Sequence, residues 1–181
     1  MLDKIHKRIV GNRVPEKHRW LLDALFPMQE QLDRHIVEKK GLGKMDLFPG
    51  KMVALKTEFY EAINEWRGFK HWSEDQCPRA GLLEELVDTL HFVLSGGIEK
   101  GVHKARYIPV SDSRSRSLID QIDSVDEKIN LFRRSPSPVS WHVMFHAFMN
   151  LCENMGFTAE DLHREYLRKN KVNHDRQENG Y

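Results

Sequence analysis

The stretch from Leu82 to Leu94 is apolar almost all the way round a helix, yet it carries acids in its middle. Leu82, Leu83, Leu86, Val87, Leu90, Phe92, Val93 and Leu94 leave it no wholly polar face, and a helix of that kind is enclosed by others. Glu85 and Asp88, three residues apart, fall on one side of it beside Phe92. A carboxylate among large apolar groups is costly unless something neutralises it. The helix therefore needs both a surrounding bundle and a cation.

A second acidic pair precedes it. On a helical wheel from about Met52 to Arg67, Glu61 and Glu65 lie within a ~60° arc of Glu58. Leu55, Phe59, Ala62 and Trp66 border that arc, so the acids abut the buried stripe. A solvated helix would place Lys or Arg at i+4, but the i+4 residue of Glu61 is Glu65.

The other segments fit the same plan. Residues 1–19 are basic and read as a solvated first helix or arm, with phosphate contact as the alternative. Trp20, Leu21, Leu25, Met28, Leu32, His35 and Ile36 recur at helical spacing from Glu16 to about Lys40. Pro27 is expected to kink or divide that helix, and Gln29 and Asp33 stand one turn apart on it. Gly41 and Gly43 stop it, Phe48-Pro49-Gly50 reads as a turn, and Gly68 ends the helix after it. Gly96, Gly97 and Gly101 are read as ending the 82–94 helix. A mobile loop is expected around residues 103–117, with phosphate gripping as its alternative. Helices are expected over about 118–132, 139–155 and 159–172, the last opened by a Thr158/Asp161 capping box. Lys169, Asn173 and Arg176 share one face of the tail if it is helical.

No stretch alternates with period two, and no hairpin turn signal is present. The fold class is all-α, a helical bundle of about six or seven helices with a carboxylate site between facing helices. A single domain is expected over residues 1–181, with residues 102–137 as a distinct segment of it and 166–181 as its tail. The net charge of +1 marks no nucleic-acid or membrane binder. Two isolated cysteines, Cys77 and Cys152, fit a reducing, cytoplasmic setting. The opening Met1-Leu2-Asp3-Lys4 is not read as a signal peptide, and no stretch is apolar for the ~18–20 residues of a membrane span.

Three readings of the acids compete. A solvated charge face conflicts with the wheel. A di-iron bundle needs Glu-x-x-His from two helices; Asp88-Thr89-Leu90-His91 supplies one carboxylate-x-x-His, but Asn64 stands where the second His belongs. An all-carboxylate site suits a hard cation such as Mg²⁺ bridging substrate phosphates. A non-catalytic helical module binding a basic partner through its acids is the rival of another class.

Glu58-x-x-Glu61, 23 intervening residues, then Glu85-x-x-Asp88 resembles the signature of the MazG-like nucleoside triphosphate pyrophosphohydrolases. The segments 64–73 and 83–95, and the tail Tyr166-x-x-Lys169-Asn170-x-x-Asn173-x-x-Arg176-Gln177-x-x-Gly180-Tyr181, resemble the dimeric all-α dUTPases. That resemblance, covering about Leu21 to Tyr181, implies a homodimer that splits dUTP, and dUDP, to dUMP with Mg²⁺. It implies that Glu58, Glu61, Glu85 and Asp88 hold metal, with Glu58 the base for an attacking water. Trp72 and His91 would enclose the nucleotide, Gln29 and Asn173 face the base, Lys169 and Arg176 grip phosphates, and Tyr181 meet the sugar. Glu65 and Lys70 are expected to stand behind these groups.

One residue departs from the pattern: Asp33 stands where the family usually has Asn after Gln-x-x-Leu. An ionised carboxylate only accepts hydrogen bonds, so Asp33 could shift the preference between uracil and cytosine, and a dCTP/dUTP or broader dNTP pyrophosphohydrolase is the alternative. Taken singly, Asp33 reads as a solvated residue, Trp72 and His91 as core, and Lys169 and Arg176 as surface charges.

Overall fold

A computed structural model describes residues 16–110 and 117–179. The basic residues before Glu16, most of the 111–117 serine–arginine run, and Tyr181 lie outside the described residues. Among those described there are six α-helices and no strand. They are α1 (Arg19–Lys40), α2 (Phe48–Trp66), α3 (Leu82–Glu99), α4 (Leu118–Arg134), α5 (Pro138–Asn154) and α6 (Ala159–Glu178), with a 3₁₀ turn at Val102–Lys104. The all-α expectation holds.

The apolar helix containing Leu82–Leu94 is the centre of the bundle. α3 packs against α2, α6, α1 and α5. Leu86, Val87, Leu90 and Leu94 are fully enclosed, as the all-round apolar pattern requires. α4 packs on α5 and α2, and its stripe of Ile122, Val125, Ile129 and Phe132 joins the same core.

Several punctuation marks read differently in three dimensions. α1 runs unbroken through Pro27, whose ring is exposed. Leu21, Leu22, Leu25 and Leu32 bury on both sides of it, offsetting the one backbone bond that proline removes. Phe48-Pro49-Gly50 is the first turn of α2, not a separate turn; proline there lacks only an N–H that would have no helical partner. Gly96 and Gly97 lie inside α3 because large side chains press on them. A Cβ on Gly96 would stand 2.5 Å from Met52 Cε, and one on Gly97 2.6 Å from Trp141 Nε1. Gly68 does not take the left-handed cap of α2; Arg67 does, at φ 63°. The Arg67 guanidinium compensates by clamping the following loop, donating to the Asp75 carbonyl at 2.6 Å and to Ser73 Oγ at 3.2 Å. Gly68 is instead required because its Cβ would meet the Trp66 ring at 2.3 Å.

At the other end, the Thr158/Asp161 capping box starts α6. The helix then continues to Glu178, six residues past the expected end. Lys169, Asn173 and Arg176 therefore stand on a rigid element. No described helix is long and apolar enough to cross a membrane.

Candidate active site

α2 and α3 lie side by side and bring their acids together. One carboxylate oxygen from each of Glu58, Glu61 and Glu85 lies within 4.8 Å of the others. Glu61 is exposed, while Glu58 and Glu85 are half-buried. The Glu58 carboxyl is pushed up to about 7, by burial first and then by the charges of Asp88, Glu61 and Glu85. Burial and the neighbouring acids also raise Glu85. Asp88 is raised by burial although Lys169 Nζ stands 2.6 Å away. Crowded oxygens whose charged forms repel one another are the donor set a hard divalent cation satisfies.

α6 supplies the nearest cation. Lys169 is only 5% exposed and ties Glu84 and Asp88 of α3 to α6. It is an internal ion-pair partner, not the surface charge that a lysine read singly suggests. Glu84 was absent from the sequence candidates, since its own position on α3 gives no sign that a lysine 85 residues on will reach it.

Beside the acids opens a cavity of about 330 Å³. Glu58 and Asp88 stand at one part of its wall, His91 and Phe92 of α3, Gln29 and Asp33 of α1, and Asn173 and Arg176 of α6 at others. Four helices thus bring together eight residues of the wall, seven of them candidates from the sequence. Gln29 is buried; its Oε1 accepts from Tyr166 Oη at 2.7 Å and meets His91 Nδ1 at 2.8 Å. The His91 ring stacks on Tyr166 with centroids 4.1 Å apart. Burial, with Lys169 adding to it, pushes His91 down to about 3, so its ring is neutral at ordinary pH.

Asp33 is not a solvated residue. Ser95 Oγ donates to it at 2.6 Å, Gln29 Nε2 at 2.7 Å and Lys51 Nζ at 3.2 Å. Lys51 also reaches Glu99 at 2.8 Å. Neither Lys51 nor Ser95 carried a signal in the sequence; their partner lies in a different helix.

Among the described residues, Trp72, Lys70 and Glu65 do not line this cavity. Trp72 is 68% exposed in the loop after α2, edge-on to Phe69 and His71, and is not core. Lys70 donates to Asn64 Oδ1 at 2.6 Å. Glu65 turns towards the loop before α3, where Arg79 Nη1 stands 3.4 Å away. Tyr181 lies outside the described residues.

A helical bundle with clustered carboxylates beside a cavity is an arrangement that could hold a metal ion. Comparison with known families is more specific: the profile described as dUTPase matches residues 21–181. The chain belongs to that family, the all-α dimeric dUTPases, and is a dUTP diphosphatase. No curated protein matches the chain individually.

Proposed function

We propose that the chain hydrolyses dUTP, and also dUDP, to dUMP with Mg²⁺ held by Glu58, Glu61, Glu85 and Asp88. The observation that carries this reading is the convergence of three carboxylate oxygens within 4.8 Å beside the cavity wall shared by Glu58, His91, Asn173 and Arg176. Mg²⁺ bound there supplies charge neutralisation at the phosphates and a lowered pKa for bound water.

The chain's own groups do the rest. Glu58 accepts a proton from the attacking water, whose oxygen bonds to phosphorus as the bridging P–O bond breaks, so that dUTP gives dUMP and pyrophosphate and dUDP gives dUMP and phosphate. Arg176 faces the cavity from α6 and offers guanidinium hydrogen bonds to phosphate oxygens. Lys169 is poised on the same helix with its charge already beside Asp88. Gln29, His91 and Asn173 line the end that takes the base, and Leu32, Ile36 and Phe92 supply its apolar surface.

We further propose a cytoplasmic homodimer, in which Trp72, distant from the cavity wall of its own chain, reaches nucleotide at the subunit boundary. Val53 and Tyr60, seven residues apart on one face of α2, are exposed in the single chain and suit such a boundary. Residues 1–181 would then act as one domain, with 166–181 as its nucleotide-binding tail.

The test is product release from dUTP and dUDP with and without Mg²⁺, for the wild type and Glu58→Gln. We expect dUMP from both substrates only with the metal. The variant should lose turnover by on the order of a hundredfold or more while still binding nucleotide. Near-normal hydrolysis by Glu58→Gln would remove Glu58 from its role. Sedimentation of the wild type as a monomer would remove the dimer.

A further inference from the structure

Lys169 of α6 holds two acids of α3 at once. Its Nζ stands 2.5 Å from Glu84 Oε1 and 2.6 Å from Asp88 Oδ2. The two acids lie one helical turn apart, so a single ammonium reaches both. Their surroundings differ. Asp88 is 18% exposed and stands in the cavity wall with Glu58. Glu84 is 44% exposed, lies outside that wall, and gives its second oxygen to Arg168 Nη2 at 2.9 Å. Nor does Glu84 belong to the trio of Glu58, Glu61 and Glu85 whose oxygens converge.

An ammonium and a divalent cation seek the same lone pairs of Asp88. Lys169 already holds Oδ2, so a cation that draws on Asp88 has to contend with it. Lys169 is only 5% exposed, and a buried ammonium stripped of its one partner is strongly destabilising. Glu84 removes that difficulty. It takes the same Nζ, and Arg168 holds it in place from the other side. The ammonium therefore keeps a carboxylate partner when Asp88 turns to the metal.

We propose that Lys169 competes with the divalent cation for Asp88, and that Glu84 is a positioning residue that holds Lys169 when Asp88 engages the metal. The proposal rests on the metal reading of the acids and deepens it, by naming what the cation displaces.

The experiment measures Mn²⁺ binding without nucleotide, from the EPR signal of the free ion. Mn²⁺ takes the same oxygen donors as Mg²⁺. Wild type, Glu84→Gln, Lys169→Met and the double variant form a double-mutant cycle. Lys169→Met is expected to tighten Mn²⁺ binding on the order of tenfold, because the competitor is gone. Glu84→Gln is expected to weaken it on the order of tenfold, because Lys169 is left with Asp88 alone. In the Lys169→Met background, Glu84→Gln should change the affinity by less than about twofold.

A Glu84 that acted only as a nearby negative charge would weaken binding at least equally in both backgrounds, and that result overturns the proposal. Looser binding by Lys169→Met overturns it too. If Lys169→Met does not fold, Lys169→Gln closes the cycle with a neutral side chain that still donates to the acids. Glu85→Gln separates the two readings. No Mn²⁺ binding by the wild type, or binding that Glu85→Gln leaves unchanged, overturns the metal reading and the competition with it. Binding that Glu85→Gln weakens, with Glu84 and Lys169 additive, overturns the competition alone.

Discussion

Lys169 shows how one side chain can serve both folding and site electrostatics. Its ammonium is buried between Glu84 and Asp88 and balances charge that the acids of α2 and α3 would otherwise carry unrelieved. Lys169→Met is expected to destabilise the protein by about 1–3 kcal/mol, since it leaves Asp88 half-buried without its cation. Urea unfolding of the variant and the wild type measures this. The same change should lower dUTP turnover more than it weakens nucleotide binding, if the charge acts on the phosphates during reaction. Glu58 was legible in the sequence because its acid spacing and apolar flanks are local properties. Glu84, Lys51 and Ser95 were not, because each acquires its role from a partner in another helix.

At the scale of elements, α3 is held by close approaches at two glycines. Gly97 lies under the Trp141 indole, which is wholly buried and fixed by its Nε1 bond to the Val93 carbonyl at 2.9 Å. Gly96 lies under Met52 Cε, the end of a flexible side chain. Gly97→Ala is therefore expected to cost about 1–3 kcal/mol by overpacking. Gly96→Ala should cost less, on the order of 1 kcal/mol or below, since methionine can move aside. Thermal unfolding of the two variants checks the order; equal losses would contradict it. These glycines read as helix stops in the sequence because local propensity disfavours glycine within helices. The observed α3 is longer because burial against Trp141 and Met52 outweighs that preference. The identity and order of the helices were legible, since a 3.6-residue apolar period is strong over long segments. Their ends depended on which neighbour pressed where.

For the molecule as a whole, buried histidines set the response to acid. Burial first, with the charges of His18 and His142 adding to it, pushes His146 down to about 4 from an ordinary 6.5. His91 is held lower still. Both rings are neutral when folded, so the unfolded chain takes up their protons first as the pH drops. Stability is therefore intact above about pH 6.5 and falls towards about pH 4 on account of His146. Glu58 acts in the opposite sense, because its raised pKa makes the folded chain the better proton acceptor between about 4.5 and about 7. The comparison to make is therefore His146→Gln against the wild type. The variant should lose roughly 1–3 kcal/mol less stability between neutral and acid pH, read from thermal midpoints across that range. Parallel pH profiles would show that His146 takes no part.

The sequence by itself determined the class of fold, the two acidic pairs and most of the cavity wall, because periodicity and spacing along a helix dictate which side chains share a face. It also determined membership of the dUTPase family, through motifs spread over nearly the whole chain. Only the tertiary structure decided that Asp33 is enclosed by Lys51, Ser95 and Gln29, that Lys169 faces inward, and that Trp72 lies exposed. The physical reason is that burial and hydrogen-bond partnership are properties of packed helices. A donor from α2 or α3 fixes the meaning of a carboxylate on α1, and no spacing along the chain records which donor will arrive.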